Sequence, residues 1–142
     1  MWSKNFQDRL AAWTQLRAVC ATLDTHQCLS AINSWWGEYP WTAYYLHWSD
    51  YNQWPDPWQL LEENRLCGLA KGLGILYTIS MLERQDLEDA CLVETDQDNL
   101  VLVCQRKYIL NWGMDSVVNT SPTDIKKQHH RISLVELQQR IR

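Results

Sequence analysis

Apolar residues recur at helical spacing from the start of the chain. Phe6, Leu10, Trp13, Leu16, Cys20 and Leu23 form one stripe, which predicts a helix from about Lys4 to Leu23. Asp24 with Gln27 three positions on is a capping pair for a second helix. Its stripe is Cys28, Leu29, Ile32, Trp35 and Trp36, and Gly37 suits its end. Two such stripes on a short link predict an antiparallel helical hairpin. Trp35 and Trp36 project about 100° apart on a helix, so one faces inward and the other meets a loop or a partner.

From Tyr39 to Leu61 the periodicity is lost and aromatic residues crowd together. The stretch closes on "WPDPW", where Pro55 and Pro57 push Trp54 and Asp56 toward extended backbone. Asp56 can cap a short helix from Pro57 to about Glu63, with proline at its favoured first position. Trp54 and Trp58 flank this turn and are expected to anchor it to the core. Residues 66 to 82 then read apolar on nearly every face, which predicts a buried central helix. Gly68, Gly72 and Gly74 weaken it by roughly 1 kcal/mol each relative to alanine, and close approach of another backbone is the expected compensation.

After "ERQDLED" the pattern turns to β. "ACLVET", "NLVLVC" and "KYILNW" predict three short strands, joined at "DQDN" and "QR" into an antiparallel meander. Beyond Trp112, residues 113–142 are expected to be a polar arm ending in a short amphipathic helix. There Ser133 and Glu136 form a capping box, and Leu134, Leu137 and Ile141 share a face. The expected fold is α+β: one globular domain over 1–112, with a helical hairpin and central helix packed on a three-stranded sheet.

Composition narrows the function. The 142 residues carry a net charge of −4, with no basic run beyond Lys126-Lys127 and its neighbours, so non-specific nucleic-acid binding is disfavoured. No apolar stretch nears the roughly 20 residues that span a bilayer, and "MWSKNFQDRL" lacks a signal-peptide core. A soluble protein made in a cytosol is expected. The five cysteines (20, 28, 67, 91 and 104) have neither the CxxC nor the Cys/His spacing of a zinc site, and His129-His130 has no acidic or thiol set beside it. Reduced, buried thiols and no metal or cofactor are expected.

Cys67 at the head of the central helix is the residue that could carry chemistry, because helix N-termini favour a thiolate. The order of a tryptophan-proline entry, a helix-borne cysteine and hairpin strands, over about residues 54–112, resembles the core of bacterial transglutaminase-like cysteine proteinases. The resemblance implies a degenerate transglutaminase-like core, with Cys67 at the nucleophile position. It departs at Gly68 and Leu69, which replace the family's acidic residues, and at Glu88 and Asp89, which stand where its histidine would. Val103 or Cys104 stands where its Asp or Asn would orient an imidazole, and His26, His47, His129 and His130 all lie elsewhere. A nucleophile without base and orienter makes a poor catalyst.

The run from "INSWWGEYPWTAYYLHW" through "WPDPW" and "CGLA" to "NLVLVCQRKYILNW", about residues 30–112, also resembles a family of small, mostly uncharacterised proteins of contractile-tailed bacteriophages. Gly68 departs from the Asp that often follows the cysteine there. This resemblance implies a non-enzymatic structural or assembly protein of a virion (neck, tail, baseplate or capsid), made in the host cytoplasm. Its partners would be other virion proteins or its own copies in a ring. The alternatives are a cysteine hydrolase or acyl transferase using Cys67, and a module that binds glycans or a host protein.

Aromatic stripes are commonly structural, but tryptophan and tyrosine are also enriched at binding hot spots. Read as a strand, "WTAYYLHW" would have aromatic side chains on both faces, more than one small domain readily covers. Trp41, Tyr44, Tyr45, His47 and Trp48 are therefore the expected partner-binding residues. Residues 35–64 contain no Lys or Arg, which argues against base stacking in a basic groove and leaves carbohydrate stacking open.

Overall fold

The computed structural model describes residues 5–96, 98–105, 107–112 and 128–140. These form an α+β fold whose elements follow the order α1 (Phe6–Cys20), α2 (Thr25–Gly37), α3 (Pro57–Glu62), α4 (Gly68–Leu82), β1 (Cys91–Glu94), β2 (Asn99–Val103), β3 (Tyr108–Leu110), β4 (His130–Ser133) and α5 (Leu134–Arg140). A 3-10 helix at Trp48–Gln53 precedes α3, and another at Gln85–Leu87 follows α4.

The caps are local, and they form where the side chains call for them. Asn5 accepts from the amide of Asp8 to start α1 at Phe6, two positions later than the sequence pattern predicts. Asp24 accepts from Gln27 at α2. Asp56 and Gln59 make a reciprocal capping box with Pro57 at the first helical position, as do Ser133 and Glu136 at α5. On α3, Pro57, Leu60 and Leu61 share the buried face at i, i+3, i+4. Trp58 therefore points away, and is 41% exposed rather than anchored in the core. Trp54 is anchored: it is buried, and its indole donates to the His47 carbonyl at 2.8 Å.

α4 is the buried spine. Residues Leu69 to Ser80 are all buried, and α1, α2, α3, α5 and the sheet pack around it. Its glycines do not answer chiefly to another backbone. A Cβ at Gly74 would lie 2.5 Å from the Trp36 ring, and one at Gly72 would lie 2.7 Å from a methyl of Leu92 and 3.4 Å from the Asn99 carbonyl. At Gly68 the nearest atom would be 4.0 Å away, an ordinary contact. What approaches is mainly side chain, above all an indole with no room to shift. Gly74→Ala gains about 1 kcal/mol of helix propensity but is expected to lose more to overpacking, for a net destabilisation of about 1–2 kcal/mol. Gly68→Ala should stay within about 0.5 kcal/mol of wild type, so urea unfolding of the two variants separates them.

Among the described residues the sheet has four antiparallel strands rather than three, in the order β3-β2-β1-β4. The fourth comes from the end of the expected polar arm. His130–Ser133 pairs along β1, with Leu92 opposite Ile132 and Glu94 opposite His130. Leu134 and Leu137 of α5 are buried as their shared face requires, whereas Ile141 and residues 113–127 of the arm lie outside the described residues. Leu92, Val101, Leu110 and Ile132 line up on the face toward the main core. Cys91, Val93, Leu100, Leu102 and Ile109 form a second buried cluster on the other face. A sheet buried on both faces reads as continuous apolar runs, as "CLV" and "LVLV" do.

Candidate binding site

The segment after α2 is held at both ends and irregular between. At one end the Leu66 amide donates to the Pro40 carbonyl at 2.8 Å, and the Thr42 amide donates to the Leu66 carbonyl at 3.1 Å. This parallel bridge fixes the backbone at Trp41. At the other end Trp48 is buried, donates its indole N–H to Asn99 Oδ1 at 2.8 Å, packs edge-on against Trp54 and stacks on His130. Trp48 is thus an anchor of the segment and not one of its exposed contacts. Its indole proton needs an acceptor once buried, and β2 supplies one.

Between these anchors the chain is irregular and forms no strand beyond the bridge at Trp41. Trp41 is 64% exposed, Tyr44 46% and Tyr45 42%, while Leu46 turns inward. His47 is exposed, with its ring edge-on to Tyr44 at 4.6 Å. Partial burial raises the phenol pKa of both tyrosines, with Glu94 adding to the effect at Tyr44. Both are therefore neutral hydroxyls near pH 7. Of the adjacent pair on α2, Trp36 is fully buried, and Trp35 packs on it at 4.9 Å, half-buried.

Beside Trp41 and Tyr44 opens a cleft of about 380 Å³. Trp112, 41% exposed two residues past β3, is a third aromatic wall. The rest of the described lining is polar: Asn33, Lys71, Asp98, Asn99 and Asn111, with two glycines. Asn111 assembles this floor. Its φ of 68° is a left-handed conformation that asparagine tolerates. Its backbone amide donates to Asn33 Oδ1 at 2.8 Å, and its side-chain amide donates to the Gly68 carbonyl at 2.9 Å and the Asn99 carbonyl at 2.7 Å. Asn111, directly after β3, so joins α2 through its backbone and α4 and β2 through its side chain.

Lys71 is buried, and its ammonium donates to the Gly37 carbonyl at the end of α2, 3.0 Å away. Desolvation lowers its pKa. Lys71 is the single charged residue in α4, a signal visible in the sequence that pattern reading passed over. The asparagines left no such trace.

Cys67 is the N-cap residue of α4, at the head of the central helix. Its side chain is fully buried, and among the described residues no histidine hydrogen-bonds to its sulfur. His129 pairs with Asp96 and His130 with Glu94 at the β4 edge, and His26 lies against the Tyr108 ring. Among the described residues no group of three His, Cys, Asp or Glu side chains could hold a metal ion. No described helix is long and apolar enough to cross a membrane.

No protein-family model, curated protein or solved structure matches this chain.

Proposed function

We propose that this chain is a non-enzymatic structural or assembly protein of a tailed-phage virion, working through protein–protein contacts made by the Trp41–His47 segment. One observation carries the contact surface: three large aromatic rings, at 64%, 46% and 42% exposure, stand on a segment pinned at both ends. A pinned backbone loses little conformational freedom on binding, and exposed Trp and Tyr are the residues that dominate interface energies. The phage context rests on the motif resemblance alone. The competing reading, a transglutaminase-like hydrolase or acyl transferase, draws support from the place of Cys67 at the head of α4. Complete burial of the sulfur weighs against it, since a nucleophile must be reachable by the atom it attacks.

Co-sedimentation with purified contractile-tailed phage particles tests the proposal. Wild-type protein is expected to pellet with the particles. Tyr45→Ala should weaken the association by about tenfold, and the Trp41→Ala/Tyr45→Ala pair by more, with both variants still folded by circular dichroism. Wild-type protein left in the supernatant, or variants that pellet equally well, would sink it.

A further inference from the structure

We propose that the cleft beside Trp41 is a binding site for a pyranose unit of a neutral glycan. The inference rests on reading Trp41 and Tyr44 as contact residues, but not on the phage context. The cleft volume of about 380 Å³ lies within the usual range of small-ligand sites, roughly 300–1,000 Å³.

The chemistry of the lining selects the ligand. A sugar ring presents an apolar C–H face and a rim of hydroxyls, each both donor and acceptor. Trp41, Tyr44 and Trp112 supply flat apolar faces. The rim needs donors and acceptors side by side, and the floor has both. An ammonium carries three donors, of which the Gly37 carbonyl takes one at Lys71; among the described residues no other acceptor engages it. The Asp98 carboxylate makes no hydrogen bond among the described residues and can accept from hydroxyls. Asn99 Oδ1 is committed to the Trp48 indole, which leaves its NH₂ facing the same region as a donor.

Other occupants fit less well. An acidic ligand would meet the Asp98 carboxylate as well as Lys71. A peptide side chain would find no aliphatic partner among the described lining residues, none of which is aliphatic. Burial of Lys71 strengthens its bond to a hydroxyl, since an ammonium already stripped of water has less to lose on binding.

Isothermal titration of the full chain with methyl glucoside, methyl galactoside and methyl mannoside tests this, with glucuronate and alanyl-alanine as comparison ligands. Saturable millimolar binding of at least one methyl glycoside is expected. It should be lost in Trp41→Ala and Trp112→Ala, whose exposed rings can be removed without opening the core. In Lys71→Met, which keeps the buried stem, it should weaken by about tenfold. Failure of all three glycosides to bind, tighter binding of glucuronate or the dipeptide, or variants that bind as wild type would each overturn the assignment. The two readings fail separately. Particle sedimentation is scored on Tyr45→Ala, whose ring lies outside the cleft, and sugar binding on Lys71→Met, whose ammonium lies inside it.

Discussion

Thr78→Val is expected to destabilise this protein by about 2–4 kcal/mol, although the two side chains have nearly the same shape. The Thr78 hydroxyl accepts from the indole N–H of Trp13 and from that of Trp36, both at 2.9 Å, and donates to the Gly74 carbonyl at 2.8 Å. All three side chains are fully buried, so no water replaces the hydroxyl when it is removed. Two indole donors are then left unpaired at about 1–3 kcal/mol each. This node ties α1, α2 and α4 together at one atom, where Trp13 and Trp36 also meet edge to face at 6.5 Å. Thermal unfolding should show a fall in Tm of roughly 10 °C for Thr78→Val. Thr78→Ser keeps the oxygen and should recover most of it, losing about 1 kcal/mol for the missing methyl. Equal Tm values for the two variants would show that the hydrogen bonds contribute nothing.

The second large effect is expected at Arg9, a buried cation on α1. Its guanidinium donates to the Leu61 carbonyl and the Glu63 carbonyl, both at 3.0 Å, and to Asn64 Oδ1 at 2.8 Å. The Tyr39 hydroxyl lies against the carbonyls of Leu60 and Glu63, and burial pushes its pKa up to about 12, so it remains a donor. Between them, Arg9 and Tyr39 satisfy the carbonyls exposed where α3 ends. Arg9→Met retains the packing of the stem and removes the donors, at a cost of about 2–3 kcal/mol by urea unfolding. Arg9→Lys should not rescue it, because a single ammonium cannot reach three acceptors in the fork geometry of a guanidinium. A lysine variant as stable as wild type would refute that clamp. The consequence extends to the surface. The residues that Arg9 holds lead directly into Leu66, whose backbone fixes Trp41, so loss of the clamp should also weaken partner binding.

The helices were legible because their signals are short-range. A cap such as Asp56 with Gln59 involves four neighbouring residues, and a stripe repeats within two turns. The meander was legible in the same way, from apolar runs and the breaks between them. β4 was not. "HRIS" has one apolar residue, and the strand exists because its backbone groups complete the edge of β1 while Ile132 alone reaches the core. The aromatic residues show the same limit. Trp41, Trp48, Trp54 and Trp58 are chemically alike, yet two are buried and two exposed, and nothing in their immediate sequence separates Trp48 from Trp41. A distant acceptor on Asn99 does.

By itself the sequence determined where helices begin, which segment is apolar enough to become the spine, and that an aromatic-rich loop would have to be either covered or used. Tertiary structure alone decided which rings are covered, that the sheet gains a fourth strand, and that Asn33, Lys71, Asn99 and Asn111 converge on one cleft. The physical reason is range. Caps and periodicity follow from contacts three or four residues apart, whereas burial and clefts arise from surfaces tens of residues apart, whose meeting depends on how the whole chain packs.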